Sequence, residues 1–91
     1  LPPCDEAVCS EVLEHVSDPV AVIRHVGAAV RQGGVLFEDF CNHAYPEGPD
    51  LQSAHAARPE VYRYLWKHFA FEAGRTWEML EGGGVRRWRK R

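Results

Sequence analysis

The segment 5–19 constrains the fold of this chain more than any other part of the sequence. A short apolar run at 6–9 leads into an acidic turn, and Ser-Asp-Pro follows at 17–19. Ser and Asp cap helices and Pro suits the first helical position, so we expect a helix to begin at Pro19. A strand that leads through a turn into a capped helix is typical of α/β folds.

The next residues predict that helix and a second strand. Apolar residues recur at the i, i+3, i+4 spacing of a one-faced helix, namely at Val20, Ile23, Val26 and Val30. Gly33 is expected to end the helix, because glycine readily adopts the left-handed conformation. The apolar and β-branched run 35–40 then predicts a strand. Residues 5–40 therefore form a predicted βαβ unit, whose right-handed crossover makes the two strands parallel.

The C-terminal part has a different pattern. Residues 41–59 are polar and contain several prolines, which predicts a long loop on the substrate side. Residues 60–71 are rich in aromatic residues at helical spacing, and two short runs, 76–80 and 85–88, flank a glycine-rich turn. We therefore predict that residues 60–91 form a helix and a β-hairpin. The fold class is α/β, with all 91 residues belonging to one domain.

Two predicted strand ends indicate where chemistry takes place. In open α/β sheets, ligands bind beyond the carboxyl ends of the strands. Those ends lie at Cys9-Ser10-Glu11 and at Asp39-Phe40-Cys41. The predicted site is the crevice between these two loops.

The string Cys9-Ser-Glu-Val-Leu-Glu-His-Val-Ser-Asp-Pro19, followed by a helix and Arg31-Gln-Gly-Gly-Val-Leu36, resembles a known family. It is similar to the fourth and fifth strands of class I S-adenosylmethionine-dependent methyltransferases, in the subgroup of ubiquinone-biosynthesis O-methyltransferases. The resemblance covers residues 5–40, and the final hairpin is similar to the sixth and seventh strands of that fold. It implies a partial Rossmann-like methyltransferase sheet, comprising the C-terminal portion of the domain.

The resemblance also implies a cofactor, S-adenosyl-L-methionine, and residues that contact it. Ser10 would lie beside the cofactor in the loop after the strand that Cys9 closes, and Glu11 belongs to the same loop. The methyl acceptor would be a small molecule. A general base is expected where the acceptor must be deprotonated, and His15 and His43 are the candidates for that catalytic role.

The acidic turn allows three interpretations. Glu11, Glu14 and His15 have i, i+3, i+4 spacing, which on a helical turn places them on one face. They could bind a divalent metal such as Mg²⁺, as in some relatives, with His43, His55 or His68 completing the shell. Alternatively, Glu14 and His15 stabilise the turn, or His15 acts as the general base.

The resemblance leaves open whether this chain is an enzyme. Residues 1–91 contain no Gly-rich loop after a first strand and no acidic residue for the ribose, parts that normally precede this region. Because the sequence begins at Leu1, we expect a fragment of a longer frame. The alternative is a non-catalytic interaction or binding module derived from a methyltransferase.

Composition and charge narrow the partners. Residues 86–91 carry five basic side chains around a tryptophan, but lysines and arginines also protect edge strands, so nucleic acid is not the expected partner. No apolar run is long enough to predict a membrane span. Three cysteines without a Cys-x-x-Cys pair favour a reducing, cytoplasmic location. An exposed sheet edge could mediate dimerisation.

The missing cofactor parts generate a prediction for the isolated chain. We expect residues 1–91 alone to bind S-adenosylmethionine weakly or not at all, because most contacts of the family's cofactor lie in the parts that they do not contain. Isothermal titration calorimetry measures this directly. A dissociation constant in the low micromolar range would contradict the expectation.

Overall fold

The computed structural model describes residues 1–41, 51–74 and 84–91. A 3₁₀ turn at Leu13–His15 separates the first strand from the first helix. The remaining elements, in chain order, are β1 (Cys4–Ser10), α1 (Pro19–Ala29), β2 (Val30–Asp39), α2 (Gln52–Ala56), α3 (Arg58–His68), β3 (Phe69–Ala73) and β4 (Arg86–Lys90).

The strands form one mixed sheet in the order β1-β2-β4-β3. β1 and β2 are parallel and joined through α1, which confirms the predicted βαβ unit. β4 lies between β2 and β3 and is antiparallel to both. This mixed α/β sheet agrees with the predicted fold class, a partial Rossmann-like sheet. Among the described residues, no helix is long and apolar enough to cross a membrane.

Helix α1 begins as predicted but ends earlier. The backbone N–H of Ala21 donates to Asp18 Oδ1 at 3.0 Å, and Pro19 occupies the first turn. The prediction that Gly33 ends the helix is wrong, because α1 ends at Ala29 and β2 begins at Val30. Val30 pairs with Cys4 at the start of β1, so strand pairing interrupts the helical pattern.

The glycine pair instead accommodates an irregularity in the sheet. Gly33 has a φ of 81°, and the register of β1 against β2 shifts between Cys4 and Glu6. A Cβ atom on Gly34 would lie 2.7 Å from the carbonyl oxygen of Asp5. Only glycine fits at position 34 without moving the neighbouring strand.

The C-terminal helix is shorter than predicted, and the strand pairing differs. Residues 69–71, which were predicted to be helical, belong to β3, because Phe69 and Phe71 pair with Lys90 and Trp88. The predicted hairpin arm 76–80 lies outside the described residues. The interpretation of the basic C-terminal run as an edge strand is wrong, since β4 has a neighbour on both sides.

The core lies on one face of the sheet. Side chains that point to this face alternate along the strands and pack against α1 and α3, among them Cys9, Leu36, Phe69 and Trp88. Helix α1 contributes Ile23, and α3 contributes Val61 and Leu65. Two aromatic residues of segment 60–71, Tyr62 and Phe69, are buried in this core, and Tyr64 and Phe71 pack against it.

A buried carboxylate lies in the centre of this core. Glu38 of β2 is fully buried and accepts hydrogen bonds from Arg86 and Trp88 of β4 and from the hydroxyl of Tyr62. The Trp88 indole N–H is 3.0 Å from Oε1, and the Tyr62 hydroxyl is 3.1 Å from Oε2. Hydrogen bonds and an ion pair to the same carboxylate offset its desolvation.

The buried Arg86 and Tyr62 respond to this environment. Burial lowers the pKa of Arg86, but its hydrogen bonds and charge interaction with Glu38 outweigh burial, so the net shift is upward. Burial, reinforced by the charge of Glu38, raises the pKa of Tyr62 well above its ordinary range. Arg86 is therefore charged and Tyr62 neutral at neutral pH.

Removal of the Glu38 charge should destabilise the fold strongly. We expect Glu38→Gln to lower the free energy of unfolding by about 3–5 kcal/mol, because it leaves the Arg86 guanidinium buried without its counter-charge. Urea denaturation followed by circular dichroism measures the change. The matched control is Glu72→Gln, which removes an exposed carboxylate paired with Arg87 and Arg89 and should have a much smaller effect. Equal decreases in the free energy of unfolding of the two variants would contradict the proposed importance of the buried Glu38 charge for stability.

Candidate functional site

The carboxyl ends of β1 and β2 lie side by side, as the sequence predicts. Ser10 pairs with Asp39 in the parallel register. The Ser10 hydroxyl donates to Asp39 Oδ2 at 3.1 Å, which joins the two strand ends through their side chains. Ser10 is exposed, whereas Asp39 is 7% exposed. At this edge of the sheet, the accessible Ser10 hydroxyl is therefore held in place by its hydrogen bond to the buried Asp39 carboxylate.

Two cysteines lie beneath this edge as protonated thiols. The Cys41 thiol donates to Asp39 Oδ1. Burial, followed by this hydrogen bond, raises the pKa of Cys41 from 9.0 to about 12. Burial and the nearby charge of Glu38 raise the pKa of Cys9 to about 11. Neither thiol is activated as a nucleophile or as a metal ligand at neutral pH.

The acidic turn does not form one continuous helical face. Glu11 precedes the 3₁₀ turn, has a φ of 54° and is exposed. Glu14 is fully buried, and its carbonyl oxygen accepts from the Leu51 backbone N–H at 2.9 Å. The His15 side chain is 39% exposed, with Nε2 3.8 Å from Glu14 Oε2. The three residues therefore do not share one helical turn, because Glu11 precedes it with a positive φ, although the Glu11 and Glu14 carboxylates still lie close together.

The described donors do not make a complete metal site. Within the described ranges, Glu11 and Glu14 form a group with Cys41 in which the ligand atoms lie within 4.8 Å of one another, and His15 is not in this group. Mg²⁺ prefers oxygen ligands, of which this group supplies two carboxylates, and the third member is a protonated thiol. The predicted set of Glu11, Glu14 and His15 is not brought together, the Mg²⁺ prediction is not supported, and we derive no chemical step through a metal.

The other histidines have separate locations. His43 lies outside the described residues. The ring of His55 lies 5.6 Å from that of Phe40, near the end of β2. His68 stacks on Tyr64 at a centroid distance of 4.6 Å, at the far end of α3. A catalytic role for His15 or His43 stays a prediction.

Sequence reasoning missed Arg58, which borders the same end of the sheet. Its guanidinium donates to the carbonyl oxygen of Phe40 and lies 4.4 Å from the Phe40 ring centroid. Burial lowers the pKa of Arg58, although the side chain stays charged at neutral pH. The residues 58–59, Arg-Pro, open α3, and a charged residue at a helix start that follows a substrate-side loop was the available signal.

Comparisons with known proteins agree with this geometry. The family model described as "Methyltransferase domain" matches residues 2–81. Over 33 residues, the chain is 48% identical to the ubiquinone biosynthesis O-methyltransferase of Xanthomonas campestris pv. campestris strain B100. The same values hold for the proteins of strains 8004 and ATCC 33913. The matched segment covers 36% of this chain and 14% of each relative.

The environment of the cysteines generates a prediction about their reactivity. In the native protein at pH 8, iodoacetamide should alkylate the partly exposed Cys4 well before Cys9 and Cys41, which are buried and mostly protonated. Tandem mass spectrometry of tryptic peptides resolves the three sites. In urea, all three should react at similar rates. Rapid native alkylation of Cys41 would contradict the buried thiol–carboxylate pair.

Proposed function

This chain belongs to the class I S-adenosylmethionine-dependent methyltransferases, and we propose that it contributes the C-terminal part of a domain that methylates a small-molecule acceptor. The observation that carries the proposal is the pairing of Ser10 with Asp39 at the carboxyl edge of the parallel strands. That edge is where α/β sheets of this type bind their ligands. The family match over residues 2–81 supplies the reaction class.

The cofactor contacts follow from what this edge offers. Ser10 is exposed, and the hydrogen bond to Asp39 fixes its side chain, so it can contact a ligand without rearrangement. Glu11 has a left-handed backbone conformation and follows the last residue of β1, so the strand ends at this point. Cys9 fills space beneath the loop as a buried thiol. These features support the assignment of Cys9, Ser10 and Glu11 to the cofactor side.

The reaction needs alignment more than it needs a reactive side chain. S-adenosylmethionine, when bound, supplies an electrophilic methyl group to a nucleophile held in line with it. Residues at the strand edge therefore act mainly by positioning, which contributes a large part of the rate enhancement in such reactions. His15 is half-exposed near this edge, and we propose it as the group that accepts the proton of a hydroxyl acceptor.

The similarity to proteins named ubiquinone biosynthesis O-methyltransferase favours an oxygen nucleophile as the acceptor. Arg58 is a cation close to the end of β2, where its guanidinium lies against Phe40. A planar cation over an aromatic ring at this edge suits an aromatic or anionic acceptor. We therefore propose a hydroxylated aromatic compound as the acceptor class to test first.

The test uses the longest native polypeptide that contains this sequence, incubated with methyl-tritiated S-adenosylmethionine. Ultraviolet cross-linking should place label in the tryptic peptide that ends at Arg24, and tritium should transfer to catechol as a minimal acceptor. Ser10→Phe should lower both signals about tenfold or more, since a phenyl group would occupy the ligand's space. Ser17→Phe, an exposed position in the same peptide, is the matched control.

Two outcomes would overturn the proposal. Cross-linking confined to other peptides would show that the edge of β1 and β2 does not hold the cofactor. A polypeptide that neither cross-links nor transfers methyl groups would favour the alternative, an interaction module that has lost catalysis.

A further inference from the structure

A groove between α1 and α3 contains a concentration of positive charge that the methyltransferase site does not use. The groove has a volume of about 500 Å³ and is lined by Arg24, Ala28, Glu60, Arg63, Tyr64, Lys67 and His68. Three permanently charged cations face it against a single carboxylate, although the whole chain has a net charge of −2. A groove lined mostly by one sign of charge concentrates counter-ions of the opposite sign.

The groove runs along α3 from Glu60 to His68, and its His68 end lies at the opposite end of the sheet from the methyltransferase site. Ala28 adjoins the end of α1, where β2 begins, and His68 adjoins the start of β3. Phe69, the first residue of β3, pairs with Lys90 at the end of β4. These residues mark the amino ends of the parallel strands, whereas Ser10 and Asp39 mark their carboxyl ends. Neither Ser10 nor Asp39 lines the groove, so a ligand held at its His68 end is distinct from one held at the cofactor edge.

The cations of the groove are available to a ligand. Within residues 1–41, 51–74 and 84–91, neither Arg24 nor Lys67 takes part in an ion pair. Arg63 pairs with Glu60 at 2.6 Å, but both side chains are more than half exposed. Exposed i, i+3 pairs contribute little to stability, so Arg63 can exchange Glu60 for a stronger anion at small cost.

The floor of the groove is fixed by packing between the helices. Tyr64 lies so close to α1 that a Cβ atom on Gly27 would be 2.5 Å from its hydroxyl oxygen. The Tyr64 ring in turn supports the ring of His68 at 4.6 Å. This aromatic pair provides an immobile surface next to the cations, against which a planar group can stack.

We propose that this groove binds a phosphate-bearing anion of about nucleotide size. Arginine side chains suit the geometry of phosphate oxygens, and lysine adds a compact charge. The volume is within the range of small-molecule sites, and it favours a small ligand over an extended polymer. The shared chemistry is that of a polyphosphate, which either a nucleotide or a free inorganic chain provides.

The experiment titrates the native polypeptide with two probes, tripolyphosphate and ATP, at low ionic strength, and follows amide shifts by NMR. Both probes should shift residues of α1 and α3 around the groove. If the adenine base stacks on the aromatic pair, ATP should bind more tightly than tripolyphosphate. If only the phosphates are recognised, the two probes should bind with equal affinity. Either result supports the site and identifies the source of the phosphate.

Charge variants separate a site from general attraction. Arg24→Gln and Lys67→Gln should each weaken binding about fivefold, because each removes a close charge contact near the surface. The control Arg31→Gln removes an exposed charge that is paired with Asp5 and does not line the groove, and should weaken binding much less. All three positions are exposed, so circular dichroism should show unaltered folds.

Three results would overturn the proposal. Equal weakening by Arg31→Gln would indicate a general electrostatic effect. Shifts centred on Ser10 and Asp39 would place the anion at the methyltransferase edge. Binding of a single-stranded oligonucleotide or an acidic peptide in the absence of binding to either small probe would assign the groove to a macromolecular partner. The first and third results do not bear on the cross-linking experiment at Ser10, so the failure of the groove and the failure of the methyltransferase site are distinguishable.

Discussion

The buried carboxylate of Glu38 connects the βαβ unit to the C-terminal elements α3 and β4. Its oxygens accept hydrogen bonds from β4 and from α3, while the residue itself belongs to β2 of the βαβ unit. A buried ion pair is weak evidence for net stability, because desolvation offsets much of the attraction. Its effect here is on specificity. An alternative register of β4 that moved Arg86 away would leave two opposite charges unpaired in the core.

This constraint also positions the functional edge. Asp39 follows Glu38, and its side chain points to the other face of the strand. Because hydrogen bonds anchor Glu38, they also fix the position along β2 at which Asp39 accepts the hydrogen bond from Ser10. Phe40, next along the chain, holds Arg58 at the start of α3. In β2, Glu38 thus stabilises the fold, and the next residue, Asp39, belongs to the candidate site.

Local patterns in the sequence predicted the parts of the fold that local interactions determine. The cap at Asp18, the start of α1 at Pro19 and the adjacency of the strand ends all follow from short-range rules. The predicted end of α1 was wrong because Val30 pairs with Cys4 in the sheet. Helical periodicity carries no information about this contact, which is distant in sequence. The helix predicted at residues 69–71 was wrong for the same reason, because these residues pair with β4 in the sheet.

The candidate site was predictable only where it depends on strand ends. Ser10 and Asp39 follow from that rule, whereas the partners of Glu38 are separated from it by up to 50 residues in sequence. The composition of segment 86–91 suggested an exposed basic strand, yet Arg86 and Trp88 are fully buried. Alternation separates buried from exposed positions but does not tell which charged side chain has a buried counter-charge.

The position of β4 has a consequence for synthesis on the ribosome. The last strand in sequence lies in the interior of the sheet, between strands that were translated earlier. Until residues 86–90 emerge from the exit tunnel, β2 has only β1 as a neighbour and Glu38 has neither its arginine nor its tryptophan partner. The nascent chain can form its βαβ unit early, but the four-stranded sheet closes only after translation has passed this point.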